Sequence, residues 1–441
     1  MKEPENAGPE RNGRYDSASA GAGLSVPESL VPEDPAAGDA PAADPPVSGR
    51  TSPDPGSDAV SGEKSAPPED APPRRTPVWK TCVKWALPFL PALAAVLLLW
   101  VCRSFPLYTE LVHARIVYPV LASVLAFLNG IGSFSFTELL TLFSVPLLVL
   151  IVLLVRRYIR RAVDRKRAGG RVARGAVWCV CSVFLLYTVM HGVNFYRAPM
   201  SVLYGLDMSA KSPEFLQQTV AALAQICSGL REQLAEDENG VMRLENGRED
   251  CLLRADEALE RSRTLHPLLR GNGAKPKWVM VSELWSYTGI TGFYMMPLCE
   301  ANVNTAQPDF GVPFTVAHEL AHTCGFARED EANFAAFLLC SASEDPEYAY
   351  SGYLMAYIYC ANALFDYDLD MWEEARAYLS EDVRRDLADQ RDYWNAHKGA
   401  VELFSTSVND AFLKAQGQED GVLSYDRVVA LILGWVEKLN G

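Results

Sequence analysis

Three long uncharged apolar runs constrain the fold of this chain more than any other feature of its sequence. Each is close to the roughly 20 residues that a helix needs to cross a hydrocarbon core of about 30 Å. One such run alone is also typical of a buried helix, but three of them with charges crowded at their ends predict transmembrane helices. The three spans are predicted at about residues 85–102, 137–155 and 175–195.

A fourth apolar run, residues 116–136, is interrupted by Pro119, Asn129, Gly130 and Gly132. The flanking charges decide its placement, because Lys and Arg are enriched in cytoplasmic loops. The loop between the second and third spans carries nine Lys and Arg against one Asp, and the segment before the first span is also basic. Both can be cytoplasmic only if two crossings separate them. We therefore predict that the fourth run is interfacial or re-entrant.

With two crossings before the basic loop and a third after it, the sequence predicts a multi-pass cell-membrane protein with a cytoplasmic N-terminus. Its C-terminal domain, residues 197–441, is predicted to be extracytoplasmic. Residues 78–196 form the predicted membrane domain. Residues 1–77 are dominated by Pro, Ala, Gly, Ser, Asp and Glu. Such a segment cannot bury enough apolar surface to offset the entropy of ordering, so we predict a disordered cytoplasmic tail. The net charge of −15 is spread over the tail and the C-terminal half, so we expect no nucleic-acid partner.

The predicted extracytoplasmic part shows mostly helical patterns. Apolar residues recur there at the 3.6-residue spacing of amphipathic helices, whereas the segments PKWVMVSEL and GFYMMPL are typical of short strands. The predicted fold class is therefore a mainly α membrane protein whose last domain is mostly helical with a small β-sheet. Six of the ten cysteines lie in this domain, an even number that leaves disulfides and free thiols equally open.

The segment PFTVAHELAHTCGFAREDEANFAAF places two histidines four residues apart around a glutamate. On a helix, His318 and His322 share one face and can bind one zinc ion between them. Glu319 projects from the next position, where it can accept a proton from a metal-bound water. A catalytic zinc site of this kind needs a third protein ligand and one open position.

The helix that is expected to follow Gly325 offers two acids as the third ligand. Glu329 shares its helix face with Ala332 and Asn333, a small residue for close packing and a polar group that can orient an imidazole. Glu331 has a bulky ring and no polar partner at the corresponding positions. We therefore favour Glu329, with Glu331 as the alternative ligand.

This pair of helices, HExxH followed by Glu-x-x-Ala-Asn, resembles the gluzincin-type metallopeptidases. The resemblance implies a zincin-like domain with His318, His322 and Glu329 as ligands of one zinc ion per chain and Glu319 as the base. Asn333 stands where such enzymes often have Asp or Asn. Only six residues separate His322 from Glu329, fewer than in most such enzymes, and this departure keeps Glu331 open.

A wider resemblance links the chain to a bacterial membrane family, domain-of-unknown-function family 3810, which has no assigned activity. It extends from about Leu87 to the C-terminus. The segments that carry it are FPLYTELVHARIVYP, GFYMMPLCEANVN, PFTVAHELAH, GFAREDEANF and YSGYL.

Residues outside the motif carry weaker signals. A strand over residues 292–297 is either an edge strand that pairs with an extended substrate or a plain core strand. Glu300 and Asn302 are candidates to line the cleft, and Tyr350 or Tyr353 could supply a transition-state donor. The remaining histidines stand alone and are expected to be structural or surface residues. They are His113, His191, His266 and His397.

The favoured hypothesis is a membrane-anchored zinc-dependent metallopeptidase that hydrolyses a peptide or protein substrate outside the cytoplasm. The alternative is a catalytically silent zinc-containing membrane sensor or scaffold. Glu319 favours the enzyme, because a structural zinc site has no need of that base. Metal-dependent hydrolysis of a non-peptide bond is a third hypothesis.

Overall fold

The computed structural model describes residues 77–415 and 425–440. The predicted disordered tail lies outside the described residues, apart from Pro77. The described chain is mainly helical and contains a three-stranded sheet, which confirms the mainly α prediction with a small sheet. The chain divides into two compact units, and the larger one contains every described residue from Pro88 onward.

Among the described residues, four helices are long and apolar enough to cross a membrane, judged by length and composition alone. Three correspond to the predicted spans. The other covers much of the run that was predicted to be interfacial or re-entrant, so the number of crossings stays a prediction. The four candidate spans are Val78–Ser104, Pro106–Asn129, Phe136–Arg161 and Arg165–Met190.

Several short helical pieces make up the first two candidate spans, whereas the last two are continuous. A stretch of π-helix, Thr109–Val117, joins two of the pieces. Asp164 caps the start of the fourth candidate span by accepting a hydrogen bond from the Arg167 amide. This cap allows a tight connection to the third candidate span. The helices are α1 (Val78–Ala86), α2 (Leu90–Ser104), α3 (Pro106–Tyr108), α4 (Tyr118–Asn129), α5 (Phe136–Arg161) and α6 (Arg165–Met190).

The rest of the chain is a helical assembly around the buried helices α13, α14 and α15, which pack against one another. Helix α8 packs along α15. Its helices are α7 (Met200–Leu203), α8 (Pro213–Arg231), α9 (Gly247–Leu253), α10 (Ala255–Ala258), α11 (Glu260–Leu265), α12 (Ser282–Ser286), α13 (Gly311–Thr323), α14 (Glu329–Ser341), α15 (Pro346–Tyr367), α16 (Leu369–Arg376), α17 (Glu381–His397), α18 (Ala400–Ala415) and α19 (Tyr425–Asn440).

The sheet consists of three short strands in the order β1-β3-β2. The central strand is parallel to β1 and antiparallel to β2, with Gly292 opposite Val303 and Met295 opposite Glu300. Both β2 and β3 pack against α13, which places an edge strand next to the HExxH helix. The strands are β1 (Pro276–Trp278), β2 (Gly292–Met295) and β3 (Glu300–Val303).

Helix α4 is held against this assembly at both ends. At its start, the Tyr118 hydroxyl donates to the Thr323 carbonyl oxygen at 3.0 Å. At its end, the Lys277 ammonium donates to the Asn129 carbonyl oxygen at 2.9 Å, and the Asn129 amide bonds to the Leu298 carbonyl. A buried cation at the C-terminal carbonyls of a helix also complements the helix dipole. The interrupted apolar run is therefore docked along the sheet.

The start of α5 is bound to the sheet in a similar way. The Glu300 carboxylate accepts hydrogen bonds from the Phe136 and Thr137 amides at 2.9 and 2.8 Å. In return, the Glu138 carboxylate accepts from the Met280 and Val281 amides. Amide groups in the first turn of a helix lack partners within the helix, so a carboxylate there both satisfies them and interacts well with the dipole.

Candidate metal centre

A short connection brings α13 and α14 together at one end. Gly325 has a φ of 84°, a left-handed conformation that glycine adopts without strain and that reverses the chain after α13. A side chain there would also meet the Tyr118 ring at 3.0 Å. Because α14 begins at Glu329, its first residue lies opposite the last turn of α13.

The structure brings His318, His322 and Glu329 into one cluster. The two histidine Nε2 atoms are 3.1 Å apart. The Glu329 carboxylate oxygens lie 3.3 Å from His318 Nε2 and 3.6 Å from His322 Nε2. Ligand atoms about 2.0–2.1 Å from a tetrahedral zinc ion would be about 3.3 Å from one another. The spacing of the three donors therefore fits one such ion.

A backbone contact orients His322. Its Nδ1 atom lies 2.7 Å from the Phe326 carbonyl oxygen, which can only accept a hydrogen bond. Nδ1 therefore carries a proton, and Nε2 is the ring nitrogen that faces His318 and Glu329. The Tyr294 ring stacks against the imidazole, with 5.8 Å between ring centroids and 19° between planes.

Asn333 lies close to His318, as expected from its position on α14. Burial lowers the pKa of His318, while the neighbouring Glu329 and Asn333 raise it less. The Nδ1 atom of His318 and the Oδ1 atom of Asn333 are both buried, and neither has a close hydrogen-bond partner in the described part of the chain.

The charges of the cluster favour a bound cation. Burial alone would raise the pKa of Glu329, but the neighbouring histidines hold it well below its usual range. For His322, burial acts to lower the pKa, and the charge of Glu329 outweighs it and raises the pKa to about 9. The Glu329 side chain, 35% exposed, thus stays ionised beside the two imidazoles and supplies the negative charge of the cluster.

Glu319 lies beside the cluster and is only 3% exposed. Burial raises its pKa to about 8, against the lowering effect of His322. Its Oε2 atom has no hydrogen-bond partner among the residues that the structure describes. A buried carboxylate oxygen without a protein partner is costly, and this atom is free to accept a hydrogen bond from a molecule bound at the cluster.

Gly292, the first residue of β2, lies directly against this carboxylate. A Cβ atom on Gly292 would be 2.3 Å from Glu319 Oε1 and 2.7 Å from Thr315 Cγ2. Only glycine therefore lets the strand pass so close to the glutamate. Within the described ranges β2 pairs with β3 alone, so its outer edge is open for another extended chain.

Glu331, the alternative ligand, points elsewhere. Its carboxylate accepts hydrogen bonds from the Arg328 guanidinium at 2.5 Å and from the Met200 amide at 2.8 Å. These contacts bind α14 to the segment that follows α6. Glu331 is therefore outside the cluster, because helix geometry turns it away from the face that carries Glu329.

The weaker sequence candidates also have other partners. Glu300 and Asn302 bind the start of α5, where Asn302 accepts from Ser135, so they do not line a cleft at the cluster. Tyr350 donates to Asp386 in the core of the helical assembly. The sequence left disulfides and free thiols equally open for the cysteines, and in the structure all ten are free thiols.

His191 lies nearer to the cluster than sequence reasoning suggested. Its ring centroid is 6.2 Å from that of Tyr294, the residue that stacks on His322. The sequence signal that could have found it is its place directly after α6, at the end of an apolar helix. Single histidines have no spacing pattern, so only the tertiary structure, which sets the end of α6 beside Tyr294, brings it here.

Four apolar helices, a small mixed sheet and a His-His-Glu cluster define a membrane-associated helical protein with a candidate metal site. The family described as "Protein of unknown function (DUF3810)" matches residues 113–433. The chain therefore belongs to this family, as the sequence resemblance predicted. The comparisons with curated proteins and with solved structures found no match.

Proposed function

We propose that this protein is a membrane-anchored zinc-dependent metallopeptidase that hydrolyses peptide bonds outside the cytoplasm. The observation that carries the proposal is the buried Glu319 carboxylate, which lies between the His-His-Glu cluster and an open strand edge. A base, a candidate metal site and a place for an extended chain are the three parts that peptide hydrolysis of this kind needs.

In this proposal His318, His322 and Glu329 hold the ion. Two imidazoles and one carboxylate suit zinc, and three protein ligands leave a position open. When bound, zinc would polarise the substrate carbonyl and lower the pKa of a water molecule at the site. Phe326 keeps His322 in the tautomer that binds through Nε2.

Glu319 then acts as the general base and afterwards as the general acid. Its unpartnered Oε2 atom accepts the proton of the attacking water, and the same carboxyl group passes that proton to the leaving amine. The outer edge of β2 orients the substrate by backbone hydrogen bonds, which places an extended peptide beside Gly292 and Glu319.

The proposed topology has three crossings. Helix α5 starts on the sheet, and α6 returns to it, ending beside Tyr294 through His191. The side chain of Leu99, near the end of α2, lies 3.6 Å from the position of a Cβ on Gly192, so α2 runs parallel to α6.

Helix α4 supports this count because both of its ends bind the helical assembly, so it does not lead away from it. The basic connection between α5 and α6 then lies at the far end of the spans, which the positive-inside rule places in the cytoplasm. The cluster would consequently lie on the extracytoplasmic side.

The test is to purify the full-length protein, measure its zinc content and offer it a peptide library. Wild type is expected to bind one zinc ion and to cleave peptides. Glu319→Gln is expected to keep the zinc and lose cleavage, because the residue is not a ligand. A wild type without metal, or a Gln variant with normal activity, would refute the proposal. Bound zinc without any cleavage would favour a silent sensor or scaffold.

A further inference from the structure

Helix α18 has an apolar face that is largely exposed within the described part of the chain. Four large apolar residues recur on this face at spacings of three and four, while polar residues occupy most of the other side. The exposed fractions are 58% for Val401, 72% for Phe404, 53% for Val408 and 37% for Phe412. An exposed apolar stripe on an amphipathic helix is typical of a contact with a partner or with a membrane surface.

The two ends of α18 lie beside elements that build the candidate site. At its start, Glu402 Cγ is 3.4 Å from the position of a Cβ on Gly289, shortly before β2. Near its end, the Phe412 ring stacks on His191, with 6.4 Å between centroids and 18° between planes. His191 in turn neighbours Tyr294 in β2.

The second contact indicates what covers the apolar face. His191 directly follows α6, a helix that is long and apolar enough to cross a membrane. A helix that touches the end of such a span lies at the level of the bilayer surface. There its apolar face is stabilised by burial at the boundary of headgroups and acyl chains.

Helix α4 has a similar exposed apolar face. Val120, Val124 and Phe127 are exposed there, at spacings of four and three. The opposite face of α4 carries Tyr118, which hydrogen-bonds to the carbonyls of His322 and Thr323. The Tyr118 side chain thus connects a second lipid-compatible surface, that of α4, to helix α13.

We propose that α18 lies in the bilayer interface and that the candidate metal site works at the membrane surface, on peptide segments tethered to the membrane. The tether is a lipid or a transmembrane helix. This inference rests on the proposed function, because it names the substrate class of the same site.

The length of the spacer between the membrane anchor and the cleavable peptide tests this inference. The full-length zinc-loaded protein in lipid nanodiscs receives one cleavable library sequence in three forms: free, or anchored through a spacer of about 5 or about 20 residues. These spacers reach at most about 18 Å and about 70 Å. The short-tethered form is expected to be cleaved as fast as the long-tethered form, and on the order of tenfold or more faster than the free peptide. A lipid anchor and a helical anchor are compared in parallel.

The outcomes separate this inference from the proposed function. A short-tethered peptide that resists cleavage, while the long-tethered or free peptide is cleaved, overturns the inference and leaves the peptidase intact. Equal cleavage of the free and tethered forms does the same. If zinc is bound and no form is cleaved, the proposed function fails and the substrate class fails with it.

A pair of variants on α18 tests the helix itself. Val408→Asp puts a charge on the apolar face, and Thr406→Asp puts the same charge on the opposite, polar side. Both positions are exposed, so neither change buries a charge. Val408→Asp is expected to lower the ratio of short-tethered to free cleavage several-fold, and Thr406→Asp to leave it unchanged. Equal ratios in the two variants would contradict the proposed contact.

Photocrosslinking identifies what covers the helix without an activity assay. A photoreactive phenylalanine analogue replaces Phe404 in the full-length protein in nanodiscs, with the same analogue at the exposed Thr406, on the opposite side of the helix, as control. Lipid adducts are expected at position 404 in excess of those at 406. Adducts with a second copy of the chain or with another protein instead of lipid would overturn the proposal, as would equal lipid adducts at both positions.

Discussion

At the scale of single residues, the approach of β2 to Glu319 depends on one missing side chain. The backbone conformation of Gly292 is one that other residues also adopt. What requires glycine there is lack of space, because the nearest atoms belong to the side chains of Glu319 and Thr315. The strand β2 and helix α13, which carries the proposed base Glu319, therefore meet at one close contact. A change of one methyl group there should move the base relative to the cluster.

Gly292→Ala is therefore expected to reduce peptide hydrolysis by on the order of 10²-fold, because a displacement of about 1 Å at a reacting group has an effect of that size. Its zinc content should stay near that of wild type, since no ligand is altered. Gly229→Ala is the matched control, because a Cβ there meets nothing within 4 Å. Cleavage by Gly292→Ala at the rate of the control would show that β2 does not position the base.

Single substitutions also test which residue is the third ligand of the proposed zinc site. Glu329→Ala is expected to remove most bound zinc, and Asn333→Ala to weaken zinc binding by roughly 10–100-fold, as for other groups that orient ligands. Glu331→Ala should keep the metal and lower the free energy of unfolding by about 3–5 kcal/mol, because it leaves Arg328 without its buried partner. Zinc titration and thermal unfolding of the three variants measure this. Metal lost with Glu331 and kept without Glu329 would reverse the assignment.

At the scale of elements, two helix ends are fastened to the sheet by charged side chains. Lys277 of β1 binds carbonyls at the end of α4, and Glu300 of β3 binds amides at the start of α5. The first amides and the last carbonyls of any helix have no partner within the helix, and where these groups are buried they need another hydrogen-bond partner. The sheet, although small, thus fixes where the docked helix ends and where the next apolar helix begins.

Lys277→Met tests this fastening. It keeps the apolar stem and removes the ammonium group, so the carbonyls of Asn129 and its neighbours lose their donor. The variant is expected to be less stable by about 1–3 kcal/mol, measured by thermal unfolding in detergent, with faster proteolysis between α4 and α5. Lys275→Met is the control, since Lys275 is exposed just before the same strand. Equal melting temperatures for the two variants would be the contrary result.

At the scale of the whole molecule, the number of crossings determines on which side the candidate site lies. Three crossings place the basic connection between α5 and α6 in the cytoplasm and the cluster outside. A fourth crossing by α4, with the same N-terminal orientation, would exchange the two. The docking of α4 at both ends supports three, because a helix bound to the end of α13 at its start and to β1 at its end stays beside the helical assembly.

Cysteine labelling in intact cells distinguishes the two arrangements. Val163→Cys and Asp392→Cys are introduced singly after the exposed Cys82 and Cys179 are replaced by serine. Both new positions are exposed. An impermeant maleimide is expected to label position 392 at once and position 163 only after permeabilisation. The opposite pattern would place the cluster in the cytoplasm.

Local spacing in the sequence determined the apolar helices, the shared face of His318 and His322, and the choice of Glu329 over Glu331. These features follow from helix periodicity, which acts over a few residues. Only the tertiary structure decided that Glu300 caps α5, that Gly292 lies against Glu319 and that α4 is docked by Tyr118. Each of these joins residues far apart in the chain, and the packing of whole elements, which no local pattern encodes, brings them together.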